Sequence, residues 1–314
     1  MGEEVCKSMM AEILLASYNG ESYIQEQIDS ILAQSDDRWH LTVSDDGSTD
    51  RTVEILDAYV SRYPDRITRV CSGRRFRNAR DHFFWLIDQC DAEYMFTCDQ
   101  DDYWYEGKLG TTLDNLLRAE ETHGKDVPIL VFSDQTPTDA QRKPLASSLM
   151  RYQNQFFGSF DYRSLMMQNV ITGGAMGFNR ALAKLAMQCK DPTETMMHDW
   201  WLAIVAARFG KIVYIDELLG DYRQHGDNCV GAKNVRSVSH VLNKLAHVDE
   251  IRKTMRAKKR QAQMFCATYG AILSPQDEAF LRTFVRVKSG PLFYWRNRKL
   301  IHGVFRLAGM MVLG

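Results

Sequence analysis

The chain of 314 residues predicts an α/β fold, a mostly parallel sheet flanked by helices, with a helical extension at its C-terminus. Three observations predict it. Short apolar runs alternate with amphipathic stretches from Ile13 to Phe132, the pattern of successive βαβ units. Three of the first four apolar runs end in polar, turn-forming or acidic residues, and ligands of such sheets bind outside the C-terminal strand ends. From residue 233 onward the chain turns basic and helical.

The elements follow in order. Ile13-Leu14-Leu15-Ala16-Ser17 reads as a buried strand stopped by Tyr18-Asn19-Gly20. Glu21 to Gln34 carries Tyr23, Ile24, Ile28, Ile31 and Leu32 on one helical face. His40 to Ser44 is a second strand, ending in Asp45-Asp46-Gly47-Ser48-Thr49-Asp50. Thr52 to Tyr63 is a helix with Val53, Leu56 and Val60 inward, ended by Pro64. Ile67 to Cys71 is the third strand, and His82 to Gln89 an apolar helix. Tyr94 to Cys98 is the fourth strand, Lys108 to Glu121 a helix and Ile129 to Phe132 a strand. The second half is less regular. Thr172-Gly173-Gly174-Ala175-Met176-Gly177 holds three glycines, read either as backbone that approaches a ligand or as a bulged strand. Asp199 caps a helix from Trp200 to Phe209 that stops at Gly210.

Composition narrows the classes. Hydrophobic residues at 45% and charged residues at 25% are ordinary for a soluble globular protein. The formal net charge of −1 hides an asymmetry: residues 233–314 hold 16 Lys+Arg and 4 Asp+Glu. We therefore divide the chain into a domain at 1–232 and a basic helical extension at 233–314. A near-neutral protein is not a general nucleic-acid binder, whereas the basic, aromatic-bearing extension suits an anionic membrane surface. The alternative is a helical lid or dimer element. Seven scattered cysteines with no CxxC pair argue against a disulfide framework or a zinc cluster and fit a reducing cytoplasm. Met1 to Met10 has no apolar core of a signal peptide, and no stretch reaches the roughly 20 apolar residues of a spanning helix. The expected location is cytoplasmic, peripheral at the inner face of a membrane.

Asp99-Gln100-Asp101-Asp102 carries the chemistry. Three carboxylates at one strand end repel unless a cation lies among them. Mg²⁺ and Mn²⁺ take carboxylate oxygens together with substrate phosphates. A metal-bound phosphorylated ligand is the simplest reading, and a solvated acidic turn the bland one. Neither GxGxxG nor GxxxxGK[ST] occurs, so a nucleotide site here is neither a dinucleotide fingerprint nor a P-loop.

Five motifs, in order over about residues 11–231, resemble the glycosyltransferase family 2 enzymes of the GT-A fold. The closest likeness is to bacterial rhamnosyltransferases of surface-polysaccharide synthesis. The motifs are Ala16-Ser17-Tyr18-Asn19-Gly20, Asp45 to Asp50, Asp99-Gln100-Asp101-Asp102-Tyr103-Trp104, His198-Asp199-Trp200-Trp201, and Tyr222-Arg223-Gln224-His225-Gly226-Asp227-Asn228. The resemblance implies a Rossmann-like GT-A sheet and a metal-dependent, inverting transfer from a nucleotide-diphosphate sugar. It assigns Ala16, Ser17 and Tyr18 to base and ribose, Asp45 to the base, and Asp99 to the ribose or a metal-bound water. Asp101 and His225 would hold Mg²⁺ or Mn²⁺, while Arg80 and Arg223 would meet phosphate charge. Glu21, Asn78, Gln100 and Gly174 complete the implied donor site. Asp199 is the implied base that deprotonates the acceptor hydroxyl. His198, Trp104, Trp200 and Trp201 are the implied acceptor platform, with core packing as the alternative.

The chain departs from the family pattern where Tyr105-Glu106 replaces an expected Pro. It departs again over Arg74 to Phe83, where Asn78 stands for a Gly that needs φ > 0 and His82 for an Asn. Those changes leave the donor open between dTDP-rhamnose, the leading expectation, and a UDP-hexose. The implied acceptor is a glycan or lipid-linked oligosaccharide. Competing readings are a nucleotidyltransferase, for which Ala16 to Gly20 is a poor triphosphate loop, and a non-catalytic polysaccharide-binding protein.

Overall fold

The apolar runs become strands where their side chains can be covered on both faces. The computed structural model describes residues 10–153, 160–226, 248–286 and 291–301. Asp227 and Asn228, and the parts of the expected basic helical extension at 233–247, 287–290 and 302–314, lie outside the described residues. Strands β1 (Ala11–Ser17), β2 (Trp39–Asp45), β3 (Ile67–Val70) and β4 (Tyr94–Asp99) pair in parallel in the order β3-β2-β1-β4. Helices α1 (Ile24–Leu32), α2 (Thr52–Arg62) and α3 (Ala79–Asp88) connect them. The sheet continues through β7 (Met176–Asn179), β6 (Ile129–Thr138), β8 (Lys211–Arg223) and the two-residue β5 (Tyr103–Trp104). Only β7 and β5 run against the common direction.

The remaining helices are α4 (Lys108–His123), α5 (Leu149–Tyr152), α6 (Tyr162–Met167), α7 (Arg180–Ala186) and α8 (His198–Phe209). The C-terminal region holds α9 (Val248–Tyr269), α10 (Pro275–Arg286) and α11 (Pro291–Arg296). One apolar cluster lies on each face of the sheet. That on one face joins Leu14, Met95 and Phe132 to the buried side chains of α8, and continues through Met255, Phe265, Phe284 and Tyr294. The helices beyond residue 248 therefore share the core of the sheet domain. Strand β8 is among the elements the sequence reading omitted, with β5 and the short helices α5, α6 and α7. Its first half holds the apolar run Ile212-Val213-Tyr214-Ile215, only Ile215 of which is buried, and it is flanked by the exposed Lys211, Asp216 and Glu217.

Candidate functional site

Strand register builds the site. In β1, Ala16 lies beside Ser44 and Asp99, and Ser17 beside Asp45. The ends of three adjacent parallel strands thus form one row, at the sheet edge where α/β ligands bind. Gln100 ties two of them: its Oε1 accepts from the Tyr18 N–H at 2.9 Å and its Nε2 donates to the Tyr18 carbonyl at 3.0 Å. Tyr18 is half-exposed above this clamp.

The antiparallel partner of β4 supplies the next layer. Pairing of Phe96 with Gly177 carries the preceding turn, Gly173–Ala175, alongside Asp99. The Gly174 N–H faces Asp99 and the Gly173 N–H faces Asp199, each favouring the charged carboxylate. Both positions require glycine: a Cβ on Gly174 would stand 2.2 Å from the Asp102 carboxylate, and one on Gly173 2.8 Å from His198 Nε2.

Strand β8 closes the far side. It pairs with β5 through Gly220 and Asp221, which folds the acidic turn over the strand end. The Gln224 N–H then donates to the Thr138 carbonyl, and His225 Nε2 lies 2.8 Å from Asp101 Oδ2. These two residues are 124 positions apart in sequence. The His225 ring rests on Tyr23, with centroids 4.6 Å apart.

The electrostatics follow from burial of many carboxylates together. Burial, with the charges of Asp101 and Asp199, lifts Asp99 to about 7. Burial lifts Asp199 to about 7 against hydrogen bonds from Trp200, Gly173 and Asn169 that favour its charge. Asp102 is pushed well above the usual carboxylate range by burial and its acidic neighbours. The compensating cation is Lys108, 1% exposed, from the first turn of α4. Its Nζ donates to the Gly174 carbonyl and lies 4.6 Å from the centre of the Trp104 ring. Burial draws Lys108 down to about 8, while Asp102, Cys98 and Asp99 favour its charge. Sequence reasoning missed it, because a lysine at a helix start reads as solvent-exposed. Its separation from the acidic cluster by one short turn was the available signal.

Several expected roles are corrected. Trp104 and Trp201 have 1% and 0% exposure and form core, not a stacking platform. Trp201 packs on Phe265 and Tyr269 and donates to the Ala186 carbonyl. Trp200 is buried and donates to the Leu165 carbonyl. His198 lies under Gly173 against the Phe83 ring at 4.0 Å, and burial lowers it to about 3, so it is a neutral interior imidazole. Arg80 does not face the sheet edge with a free fork: its Nη1 holds the Thr193 and Thr195 carbonyls at 2.8 and 2.9 Å, and its Nε pairs with Asp81.

Arg223 pairs with Glu26 at 2.5 Å, donates to the Ala140 carbonyl and covers Tyr23. Glu21 accepts from the Arg51 N–H at the start of α2. Asn78 is the extended N-cap of α3, accepting from the Asp81 N–H, and the positive φ of 63° belongs to Arg77 instead. Asp45 accepts from the Gly47 and Ser48 N–H groups and from the Ser17 and Ser48 hydroxyls. Its lone pairs are thereby committed to the turn. Asp199 lies in the first turn of α8 behind the N-cap Met197, rather than at the cap.

The residues that remain at the edge are Asp99, Asp101 with His225, Asp199, Ala16, Ser17, Tyr18, Gln100 and Gly174. Among the described residues no group of three His, Cys, Asp or Glu is arranged as a complete metal site. The Asp101–His225 pair offers one oxygen and one nitrogen aimed at each other. The two residues would hold a divalent ion such as Mg²⁺ or Mn²⁺, the carboxylate supplying the hard oxygen that such ions prefer. No helix among the described residues is long and apolar enough to cross a membrane.

Comparison with known proteins gives a consistent result. The family described as Glycosyl transferase family 2 matches residues 12–185. The dTDP-rhamnosyl transferase RfbG of Shigella flexneri is 32% identical over 225 residues, covering 69% of this chain and 74% of that protein. The structure of S. aureus TarS 1-349 in complex with UDP-GlcNAc aligns with a TM-score of 0.54 at 12% identity, covering 96% of this chain and 90% of that one. The mannosyltransferase PcManGT of Pyrobaculum calidifontis, in complex with GDP-Man and Mn²⁺, aligns with a TM-score of 0.50 at 17% identity, covering 96% and 85%. At these identities the two structures show the shared fold.

Proposed function

The chain belongs to glycosyl transferase family 2, and we propose that this glycosyltransferase is metal-dependent and inverting. In this reading it moves L-rhamnose from dTDP-rhamnose to a glycan or lipid-linked oligosaccharide in cell-surface polysaccharide synthesis. The observation that carries the reading is the convergence of Asp99 and Asp101 at the end of β4, His225 after β8 and Asp199 in α8 on one sheet edge, from three separate chain segments. The rhamnosyl donor is supported by the likeness to RfbG, with a UDP-hexose as the alternative.

Asp101 and His225 would hold Mg²⁺ or Mn²⁺, as the Mn²⁺ bound in PcManGT supports. When bound, the ion offsets the negative charge that develops on the leaving diphosphate. Ser17, Tyr18 and Gln100 border the row of strand ends where a nucleoside would lie. Asp99 sits between that row and the Gly174 N–H. Asp199 takes the proton of the acceptor hydroxyl as that oxygen attacks the anomeric carbon. A single displacement inverts the configuration and needs no covalent nucleophile. A base near neutrality suits this task, because it is ionised at working pH and still basic enough to accept the proton.

The extension is proposed to meet an anionic membrane surface. Leu292 and Trp295 are 58% and 52% exposed beside Arg296, Arg298 and Lys299, the mixture that suits a lipid interface. Full-length protein that fails to float with anionic vesicles at low salt would remove this part of the reading.

The function is tested by thermal stabilisation with UDP, dTDP, GDP and CMP, each with Mn²⁺ and with EDTA. A Mn²⁺-dependent shift with dTDP or UDP, lost in Asp101→Ala, is the expected result. No shift with any diphosphate would sink the metal-bound donor site.

A further inference from the structure

Three peptide planes join the two halves of the site. The plane between Gly173 and Gly174 has its carbonyl held by Thr97 Oγ1 at 2.8 Å and its N–H on Asp99. The plane between Gly174 and Ala175 has its carbonyl held by Lys108 Nζ, and its N–H donates to the Thr172 carbonyl at 3.1 Å. That carbonyl belongs to the plane between Thr172 and Gly173, whose N–H faces Asp199; a Cβ on Gly173 would lie 3.8 Å from the Asp199 Cβ. Because a peptide unit is planar, holding its oxygen orients its N–H. Thr97 thus acts on Asp99 through one plane, and Lys108 on Asp199 through two.

We propose that Lys108 and Thr97 are positioning residues of the transfer reaction: their bonds to the Gly173–Gly174 turn aim its N–H groups at Asp199 and Asp99, fixing the proton acceptor relative to the donor side. Thr97 is fully buried in β4 and Lys108 nearly so in α4, and neither side chain is placed at the open edge. A buried lysine is costly to desolvate, so a bond to a single carbonyl beside an acidic cluster is a demanding use of it. The cluster repays that cost through Asp102 and Asp99. Gln135 extends the frame: its Nε2 donates to Asp102 at 3.3 Å and its Oε1 accepts from Thr172 Oγ1 at 2.7 Å. The turn is therefore gripped from β4, α4 and β6.

The inference rests on Asp199 being the base. The groups that face its carboxylate are Asp99 from β4, Tyr222 from β8, the Asn169 side chain and the backbone N–H groups of Gly173 and Trp200. Losing the Gly173 N–H removes a bond that favours the Asp199 anion, so the acid limb of the kcat profile moves up in pH.

The test compares wild type with Lys108→Met, Thr97→Val and Lys108→Met/Asp102→Asn, using whole protein and Mn²⁺. Lys108→Met is expected to lower kcat about tenfold and move the acid limb up by roughly half a pH unit or more. Thr97→Val, which keeps side-chain volume, is expected to raise donor KM about fivefold and leave that limb in place. The double variant removes the cation and a buried carboxylate together. A limb still shifted in the double variant supports positioning through the turn. A wild-type limb there means that Lys108 acts through its charge alone and overturns the proposal for it. Uniform loss at every pH with unchanged KM and limb, in any variant that keeps the wild-type melting profile, also overturns it. If Lys108→Met does not fold, Thr97→Val and the double variant decide. Full activity in Asp199→Asn would remove the base assignment itself. An inactive Asp199→Asn with unmoved limb and KM in the other variants removes only this inference.

Discussion

Asp277→Asn should detach part of the C-terminal helices from the sheet domain. Asp277 lies in the first turn of α10, only 10% of its side chain exposed. It accepts from Tyr162 Oη at 2.6 Å and Arg163 Nη2 at 3.2 Å on α6 and from Ser274 Oγ at 2.6 Å, and it forms an ion pair with Arg208 Nε at 2.8 Å on α8. Burial opposes its charge, yet the hydrogen bonds from Ser274, Tyr162 and Arg163, with the Arg208 charge, outweigh it and hold the carboxyl at about 2. A group held below its unfolded value stabilises the fold above that value and loses the contribution as pH falls through the folded one. The depression is about 1.8 units, and about 1.4 kcal/mol per unit gives ~2.5 kcal/mol at pH 7.

The same linkage leaves about half of that at pH 3. For a chain of this size ~2.5 kcal/mol corresponds to a fall in Tm of roughly 4 °C. Thermal melts of wild type and Asp277→Asn at pH 7 and pH 3 check it. The expected gap is wide at pH 7 and about halved at pH 3. Equal Tm values at pH 7, or a gap that stays constant down to pH 3, would refute the reasoning.

Other expectations follow from the site. Asp199→Asn should lower kcat by about a hundredfold or more while Mn²⁺-dependent nucleotide stabilisation persists; loss of both together would place Asp199 in donor binding instead. Because burial lifts Asp199 to about 7, wild-type kcat should be high above that pH and fall as pH drops through it, and a flat profile from pH 5.5 to 8.5 would count against the base. Arg80→Ala should leave donor KM within about twofold but lower Tm by a few degrees, since Arg80 holds two backbone carbonyls; a large KM increase with unchanged Tm would restore its phosphate role. Gly174→Ala sets a Cβ 2.2 Å from an Asp102 oxygen and should abolish most transfer, whereas wild-type activity would show that the turn relaxes freely.

Much of the fold is legible because it is local. The apolar runs at Ile13, His40, Ile67 and Tyr94 form strands close to their expected bounds, whereas the run expected to end at Phe132 continues as strand to Thr138; the inner strands are legible because an inner parallel strand is apolar on both faces. The acidic ends Asp45 and Asp99 fall beside β1 for the same reason: equal strand spacing delivers equal strand ends. The glycines of Thr172 to Gly177 also announced a close approach, although the group that comes near is the Asp102 carboxylate of the chain itself.

The sequence by itself determined the alternating α/β order, the acidic strand end and the motif set that identifies the family. Only the tertiary structure decided which polar and aromatic side chains are available to a ligand. Arg223 is engaged by Glu26, 197 positions away, and Arg80 by carbonyls 113 and 115 positions away; Trp201 meets Phe265 and Tyr269 from the C-terminal helices. A charged or aromatic residue looks the same in sequence whether water, ligand or protein satisfies it. Its partner is chosen by chain segments far apart in sequence, which only the folded core brings together.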